Sequence, residues 1–175
     1  MESIAIVQGE HVVAARPNVL ITTVLGSCIS VCLQDRVARV GGMNHFLLGE
    51  PAPGHRVCER SLLSYGIHTM ELLINEMMKL GAARNRLRAH LYGGATIIEG
   101  LGRIGASNCD FARRFVETEG IAVGHIDLGG AHARRVEFLP YEGRSRCRLV
   151  SLAPHSVADP PRALAVHNAG ELELF

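Results

Sequence analysis

The chain has almost no net charge: Lys plus Arg number 18 and Asp plus Glu 17, leaving +1 over 175 residues. Without a basic field there is no long-range attraction for a phosphate backbone or an anionic lipid surface. Nucleic acid is therefore not an expected partner. Long apolar runs are missing too. The longest uncharged stretch, Pro17 to Gln34, is broken by Thr, Ser, Asn, Gly and Gln, short of the roughly 20 mostly apolar residues that span a bilayer, so no direct membrane insertion is expected. The Met-Glu-Ser start lacks the basic and apolar regions of a signal peptide. The cysteines, Cys28, Cys32, Cys58, Cys109 and Cys147, are odd in number, which fits reduced thiols in the cytoplasm better than a disulfide framework. Neither they nor the nine histidines show C-x-x-C or H-x-x-x-H spacing, so no closed zinc site, no other metal and no cofactor is expected. No internal repeat is present.

What the chain does have is core-forming material: 47% hydrophobic residues against 20% charged, enough for one domain of roughly 100–200 residues. Its 19 glycines and 7 prolines favour a turn-rich fold with strands over a helical bundle. Short β-branched and apolar runs at Ile4–Val7, His11–Ala15, Val19–Leu25, Ile29–Leu33 and Met43–Leu48 read as strands. From Ser61 to Leu80 apolar residues recur at three and four, the period of an amphipathic helix, with Gly81 placed to close it. A second helix is expected over Asn108–Glu119, followed by Gly120, and further strands at Leu87–Tyr92, Ile121–Leu128, Arg135–Leu139 and Arg148–Leu152. Strands and helices do not alternate regularly, so the expected fold is an α+β layered sandwich and not a doubly wound parallel sheet. Residues 1–153 form the expected domain; 154–175, rich in Ala, Pro, His and Asn with Pro160-Pro161, read as a mobile tail.

The segment with most chemical content is Thr22-Thr23-Val24-Leu25-Gly26-Ser27-Cys28, followed seventeen residues on by His45 in Gly41-Gly42-Met43-Asn44-His45-Phe46. A cysteine after a strand and a glycine turn can present its sulfur outward while backbone N–H groups receive a substrate carbonyl oxygen. A free thiol is only a few per cent thiolate at neutral pH, so it needs a base such as His45. A competing pattern is Gly100-Leu101-Gly102-Arg103-Ile104-Gly105 with Asp127 downstream, which has the form of a dinucleotide fingerprint. It follows a poor strand, and only 48 residues follow Asp127, so it is the weaker reading. Met70, Leu73 and Met77 read as core packing at helical spacing.

Thr-x-x-x-Gly-Ser-Cys followed by Gly-Gly-Met-Asn-His-Phe resembles the chemoreceptor glutamine deamidase family, CheD. The likeness continues through Tyr65-Gly66, Glu71–Asn75, Gly93-Gly94-Ala95, Ile104-Gly105 with Asn108, Asp127–Gly130 and Arg135-Val136. It implies an αββα-type sandwich with mixed sheets, a Cys28 nucleophile, a His45 base and Thr22, six residues before the cysteine, as third member. On an alternating strand only one of Thr22 and Thr23 faces inward. Gly26, Ser27 and Asn44 are the expected oxyanion and site-shaping residues. The implied activity is hydrolysis of glutamine side chains on methyl-accepting chemotaxis receptors through a thioester, with glutamate methyl esters as a related substrate and a CheC-type phosphatase as a docking partner. The alternative is a non-catalytic regulatory module that binds such a phosphatase or a receptor. The loop Gly49 to Arg60 is the expected source of substrate specificity.

Overall fold

The computed structural model describes residues 1–48, 59–97 and 103–150. The tail 154–175, residues 49–58 of the expected specificity loop, and Gly100 and Gly102 lie outside them. The elements are β1 (Glu2–Ala5), β2 (His11–Ala14), β3 (Val19–Leu25), β4 (Ile29–Asp35), β5 (Val40–Asn44), α1 (Glu59–Lys79), β6 (Arg88–Gly93), α2 (Arg103–Thr118), β7 (Ala122–Leu128), β8 (Ala133–Leu139) and β9 (Arg144–Val150).

These strands make two mixed sheets, one ordered β1-β3-β8-β9 and the other β2-β5-β4-β6-β7. Only β1–β3 and β6–β7 are parallel; the second of these pairs is joined through α2, the crossover a parallel pair requires. The expected α+β sandwich with two mixed sheets is the fold that forms. Both described helices lie on the five-stranded sheet, so the layers run helices, five-stranded sheet, four-stranded sheet. No helix covers the outer face of the four-stranded sheet among the described residues.

The cores follow from periodicity. On α1, Met70, Leu73, Ile74 and Met77 recur at three and four residues and are buried against the five-stranded sheet. Gly81, at φ +98°, ends the helix in a Schellman cap, with the Gly81 N–H on the Met78 carbonyl and the Ala82 N–H on that of Met77. Gly120 closes α2 in the same way through Glu117 and Val116. Every residue of β4 is buried, because it is central to one sheet and sandwiched on both faces. Its Ile29, Val31 and Leu33 point at the helices, and Cys32 points into the second core between the sheets with Ile21, Leu25, Met43, Val136 and Phe138.

Several boundaries differ from the sequence reading: β1 runs Glu2–Ala5 and not Ile4–Val7, β9 starts at Arg144 and not Arg148, and two further differences involve glycine. β5 begins at Val40, not Met43, because Gly41 and Gly42 are strand residues: a Cβ on Gly41 would lie 2.5 Å from the Pro140 carbonyl oxygen, and one on Gly42 2.7 Å from Leu73. α2 begins at Arg103, five residues before Asn108. Gly105 lies in its first turns, where a Cβ would come 2.6 Å from the Gly94 carbonyl oxygen, so this glycine lets a helix approach the backbone that follows β6.

Candidate active site

β3 and β4 belong to different sheets, and Gly26-Ser27-Cys28 is the link between them. All three carbonyls of the link are held from outside. The Ala95 N–H donates to Gly26 O at 2.9 Å, Asn108 Nδ2 to Ser27 O at 2.9 Å, and the Gly94 N–H to Cys28 O at 2.8 Å. In a trans peptide the N–H points opposite to the carbonyl before it. Pinning Gly26 O and Ser27 O therefore turns the N–H groups of Ser27 and Cys28 the other way, the Cys28 N–H lying within reach of its own sulfur. Glycine is required at Gly93, where φ is +110° and a Cβ would lie 2.1 Å from Cys28 O; a Cβ on Gly26 would meet only the end of the Ile97 side chain, at 2.7 Å.

Directly after Cys28, Ile29 exchanges both backbone hydrogen bonds with Phe46 at 2.9 Å. Ile29 and Phe46 face the helices, so the preceding residues, Cys28 and His45, both face the opposite side of the sheet as diagonal neighbours across the ladder. The structure thus brings the two chemical residues of the motif onto one face.

His45 is 6% exposed, and its Nδ1 lies 2.8 Å from Thr23 Oγ1. The Thr23 hydroxyl has one hydrogen, which it donates to the Ile6 carbonyl at 2.8 Å. Its oxygen can therefore only accept from the ring, which places the imidazole proton on Nδ1 and leaves Nε2 as the lone-pair nitrogen. Nε2 is buried with no partner among the described residues. The ring is further fixed by its own backbone: His45 N–H donates to Glu10 O at 2.9 Å, and His45 O accepts from Gly9 N–H at 2.8 Å.

Burial pushes the His45 pKa below the ordinary histidine value, against smaller raising effects of the Ile6 carbonyl and the Glu10 charge. Burial also pushes the half-buried Cys28 thiol up, partly opposed by a hydrogen bond from its own backbone. Both shifts favour a neutral thiol beside a neutral imidazole at rest, poised for proton transfer when substrate arrives and not stored as an ion pair. The Cys28 sulfur meets Gln8 Oε1 at 3.6 Å.

Two expected site residues are corrected. Thr23, not Thr22, reaches His45: on β3, Ile21, Thr23 and Leu25 face the inter-sheet space, while Thr22 alternates to the other face with the exposed Val24. Asn44 supplies no donor to the site. It faces α1, its Oδ1 accepting from the Val31 N–H at 2.9 Å and its Nδ2 reaching Met70 Sδ at 3.3 Å, because it is one residue out of phase with His45. Gly26 and Ser27 lie in the turn between β3 and β4. Asn108 was visible only within the family likeness; its Oδ1 also accepts from the Leu48 N–H at 3.0 Å, so one buried amide ties the cysteine turn to the segment after His45. Asp127, the acid of the dinucleotide pattern, instead pairs with Arg134 at 3.0 Å. No three His, Cys, Asp or Glu side chains converge as metal ligands among the described residues.

Comparison with known proteins now decides the family. Residues 47–149 match the model described as "CheD chemotactic sensory transduction". The chain belongs to that family. A relative from Caulobacter sp. (strain K31), named "Probable chemoreceptor glutamine deamidase CheD", is 50% identical over 173 residues, covering 97% of this chain and 91% of its own. A relative of the same name from Zymomonas mobilis is 53% identical over 147 residues, covering 84% and 80%. Among solved structures, the Bacillus licheniformis hypothetical protein YfiH aligns with 67% of this chain and 49% of its own at TM-score 0.43 and 12% identity, a likeness too remote to inform the site. The family match starts two residues after His45.

Proposed function

We propose that this CheD-family protein is a cysteine-dependent deamidase that converts glutamine side chains of methyl-accepting chemotaxis receptors to glutamate in the cytoplasm. The observation that carries the reading is the His45 ring, locked by Thr23 into the tautomer that leaves a buried, unpartnered Nε2 on the face shared with Cys28. The substrate class follows from the curated relatives, named chemoreceptor glutamine deamidases. In this reading the receptor is met at its cytoplasmic helices.

In the first half-reaction the Cys28 thiol proton passes to His45 Nε2 as sulfur attacks the carboxamide carbon. The developing oxyanion is received by the Ser27 and Cys28 N–H groups. His45 returns the proton to the departing nitrogen, the carbon–nitrogen bond breaks, and ammonia leaves a thioester on Cys28. In the second half water gives a proton to His45 as its oxygen attacks the thioester. The carbon–sulfur bond breaks, and glutamate leaves with the thiol restored. A glutamate methyl ester would follow the same course with methanol as leaving group. Docking of a CheC-type phosphatase belongs to the same proposal and is tested by co-elution of the two proteins.

The direct test is mass spectrometry of a glutamine-containing receptor cytoplasmic fragment after incubation with the wild type or with Cys28→Ala. Conversion of particular glutamines to glutamate by the wild type alone is expected. A folded wild type that binds the fragment and converts nothing would transfer the reading to a regulatory module.

A further inference from the structure

The chain contains two glutamines, Gln8 and Gln34, and one of them sits against the proposed nucleophile. Gln8 Oε1 accepts a hydrogen bond from Cys28 Sγ at 3.6 Å across twenty residues of sequence. This is no chance reach of a loose loop. The Gln8-Gly9 turn is tied to the imidazole backbone by the Gly9 N–H on His45 O at 2.8 Å and the Glu10 carbonyl on the His45 N–H at 2.9 Å. The Val7 N–H is held by Glu10 Oε2 at 2.9 Å, and Ile6 is bonded through its N–H to Thr22 O and through its carbonyl to Thr23 Oγ1. Gly9 takes φ +91° to make the turn. The chain therefore suspends a primary carboxamide, the functional group of the proposed substrate, over the sulfur on a backbone fixed by the active site itself.

We propose that Gln8 is an intramolecular substrate of Cys28 and is converted to glutamate in the folded protein, an inference that rests on the deamidase reading above. Holding amide and nucleophile in one molecule removes the entropic cost of their encounter, an advantage measured in effective molarities far above any free substrate concentration. The oxygen now faces the sulfur. Rotation about the Cα–Cβ and Cβ–Cγ bonds of the exposed side chain carries Cδ to the sulfur, and a turn about the last torsion, which is broad and soft for glutamine, swings Oε1 away from it. The bond Sγ–Cδ then forms and Cδ–Nε2 breaks. Ammonia departs with the proton that His45 took from the thiol. Water adds to Cδ, Sγ–Cδ breaks, and the water proton returns through His45 to sulfur, so one water is consumed and one ammonia released. Gln8 is exposed, so water has access to the thioester. Receptor glutamine and Gln8 need the same sulfur, so each competes with the other.

Gln34 supplies the internal control. It is 1% exposed on β4, with its amide nitrogen 3.3 Å from His90 Nε2, on a strand residue that cannot reach Cys28. The experiment incubates purified full-length wild type and Cys28→Ala, with and without receptor fragment, and reads residues 8 and 34 and the receptor glutamines by peptide mass spectrometry in the same samples. The inference expects glutamate at position 8 of the wild type, present on isolation or accumulating with time and slowed by receptor fragment, with glutamine retained at position 8 of Cys28→Ala and at position 34 of both. A wild type that deamidates the receptor but keeps Gln8 intact overturns this inference and leaves the deamidase reading standing. Equal conversion of Gln8 in Cys28→Ala also overturns it, as spontaneous hydrolysis. If neither the receptor nor Gln8 changes, both readings fall together.

Discussion

A single hydroxyl decides how the imidazole works. Thr23 Oγ1 directs its hydrogen to Ile6 O, so it must accept from His45 Nδ1, and the base is Nε2. Thr23→Val removes that acceptor with little change of volume, and kcat is expected to fall on the order of 10-fold, the worth of about one neutral hydrogen bond. Thr22→Val should leave kcat unchanged, since Thr22, although buried, lies on the face of β3 away from His45. The reverse ranking would restore Thr22 as the positioning residue. The pH profile follows from the two shifts. The working pair carries one proton, on sulfur or on the ring, so the rate falls when His45 gains a proton at low pH and when Cys28 loses its proton at high pH. His45 lies below its ordinary 6.5 and Cys28 above its ordinary 9.0. A bell in kcat/KM wider than that ordinary pair of values is expected, its limbs belonging to the pair; a narrower bell centred below neutrality would contradict the neutral resting state. The sequence showed Cys28 and His45 because their neighbours form a recognisable pattern. It left the threonine between two adjacent positions, because facing depends on the phase of β3 in its sheet. Gln8 was invisible: a glutamine in an exposed turn has no periodicity or spacing that points to the site.

At the scale of elements, the site is the meeting of a turn, a helix and a strand end. Asn108 is fully buried on α2, donating to Ser27 O and accepting from the Leu48 N–H. Asn108→Ala leaves both backbone groups without that partner, which should destabilise the fold by about 1–3 kcal/mol, measured by urea denaturation. It should also lower kcat more than it raises KM, because the Cys28 N–H loses its fixed direction. Loss of stability with unchanged kcat would make the residue structural only. Strand and helix identity was legible from periodicity and the closing glycines, and Gly81 and Gly120 occur where the patterns end. The errors at β5 and α2 share one cause. Gly41-Gly42 lies inside β5, and Gly105 inside α2, because Pro140, Leu73 and the Gly94 carbonyl press against them from distant parts of the chain. Glycine demanded by such an approach looks, in sequence, like glycine demanded by a turn. The bond from Asn108 to Ser27 spans 81 residues, and no local spacing encodes it.

For the whole molecule, the two cores assign the thiols different fates. Cys32 is fully buried between the sheets, and burial there pushes its thiol far up; Cys147, on β9, is raised to about 12, first by burial and then by Asp127. Of these three, Cys28 sits in the turn between the two sheets, on the face that carries His45. Alkylation of the native protein should therefore modify Cys28 well ahead of Cys32, with Cys32 labelled only at the rate of global opening. Equal rates would mean that the sheets separate readily. The layered α+β class was legible because strand-like and helix-like runs differ in period. Which helix lies on which sheet was not, since an apolar stripe does not name the surface that covers it.

The central claim is a thioester at Cys28 formed through His45 Nε2. Its most direct test is hydroxylamine trapping during turnover of a receptor fragment, followed by peptide mass spectrometry. Hydroxylamine outcompetes water for a thioester, so the wild type should place a hydroxamate at the same glutamine that otherwise becomes glutamate, and Cys28→Ala should place none. Conversion of that glutamine to glutamate by the wild type without any hydroxamate, or equally by Cys28→Ala, would contradict the account.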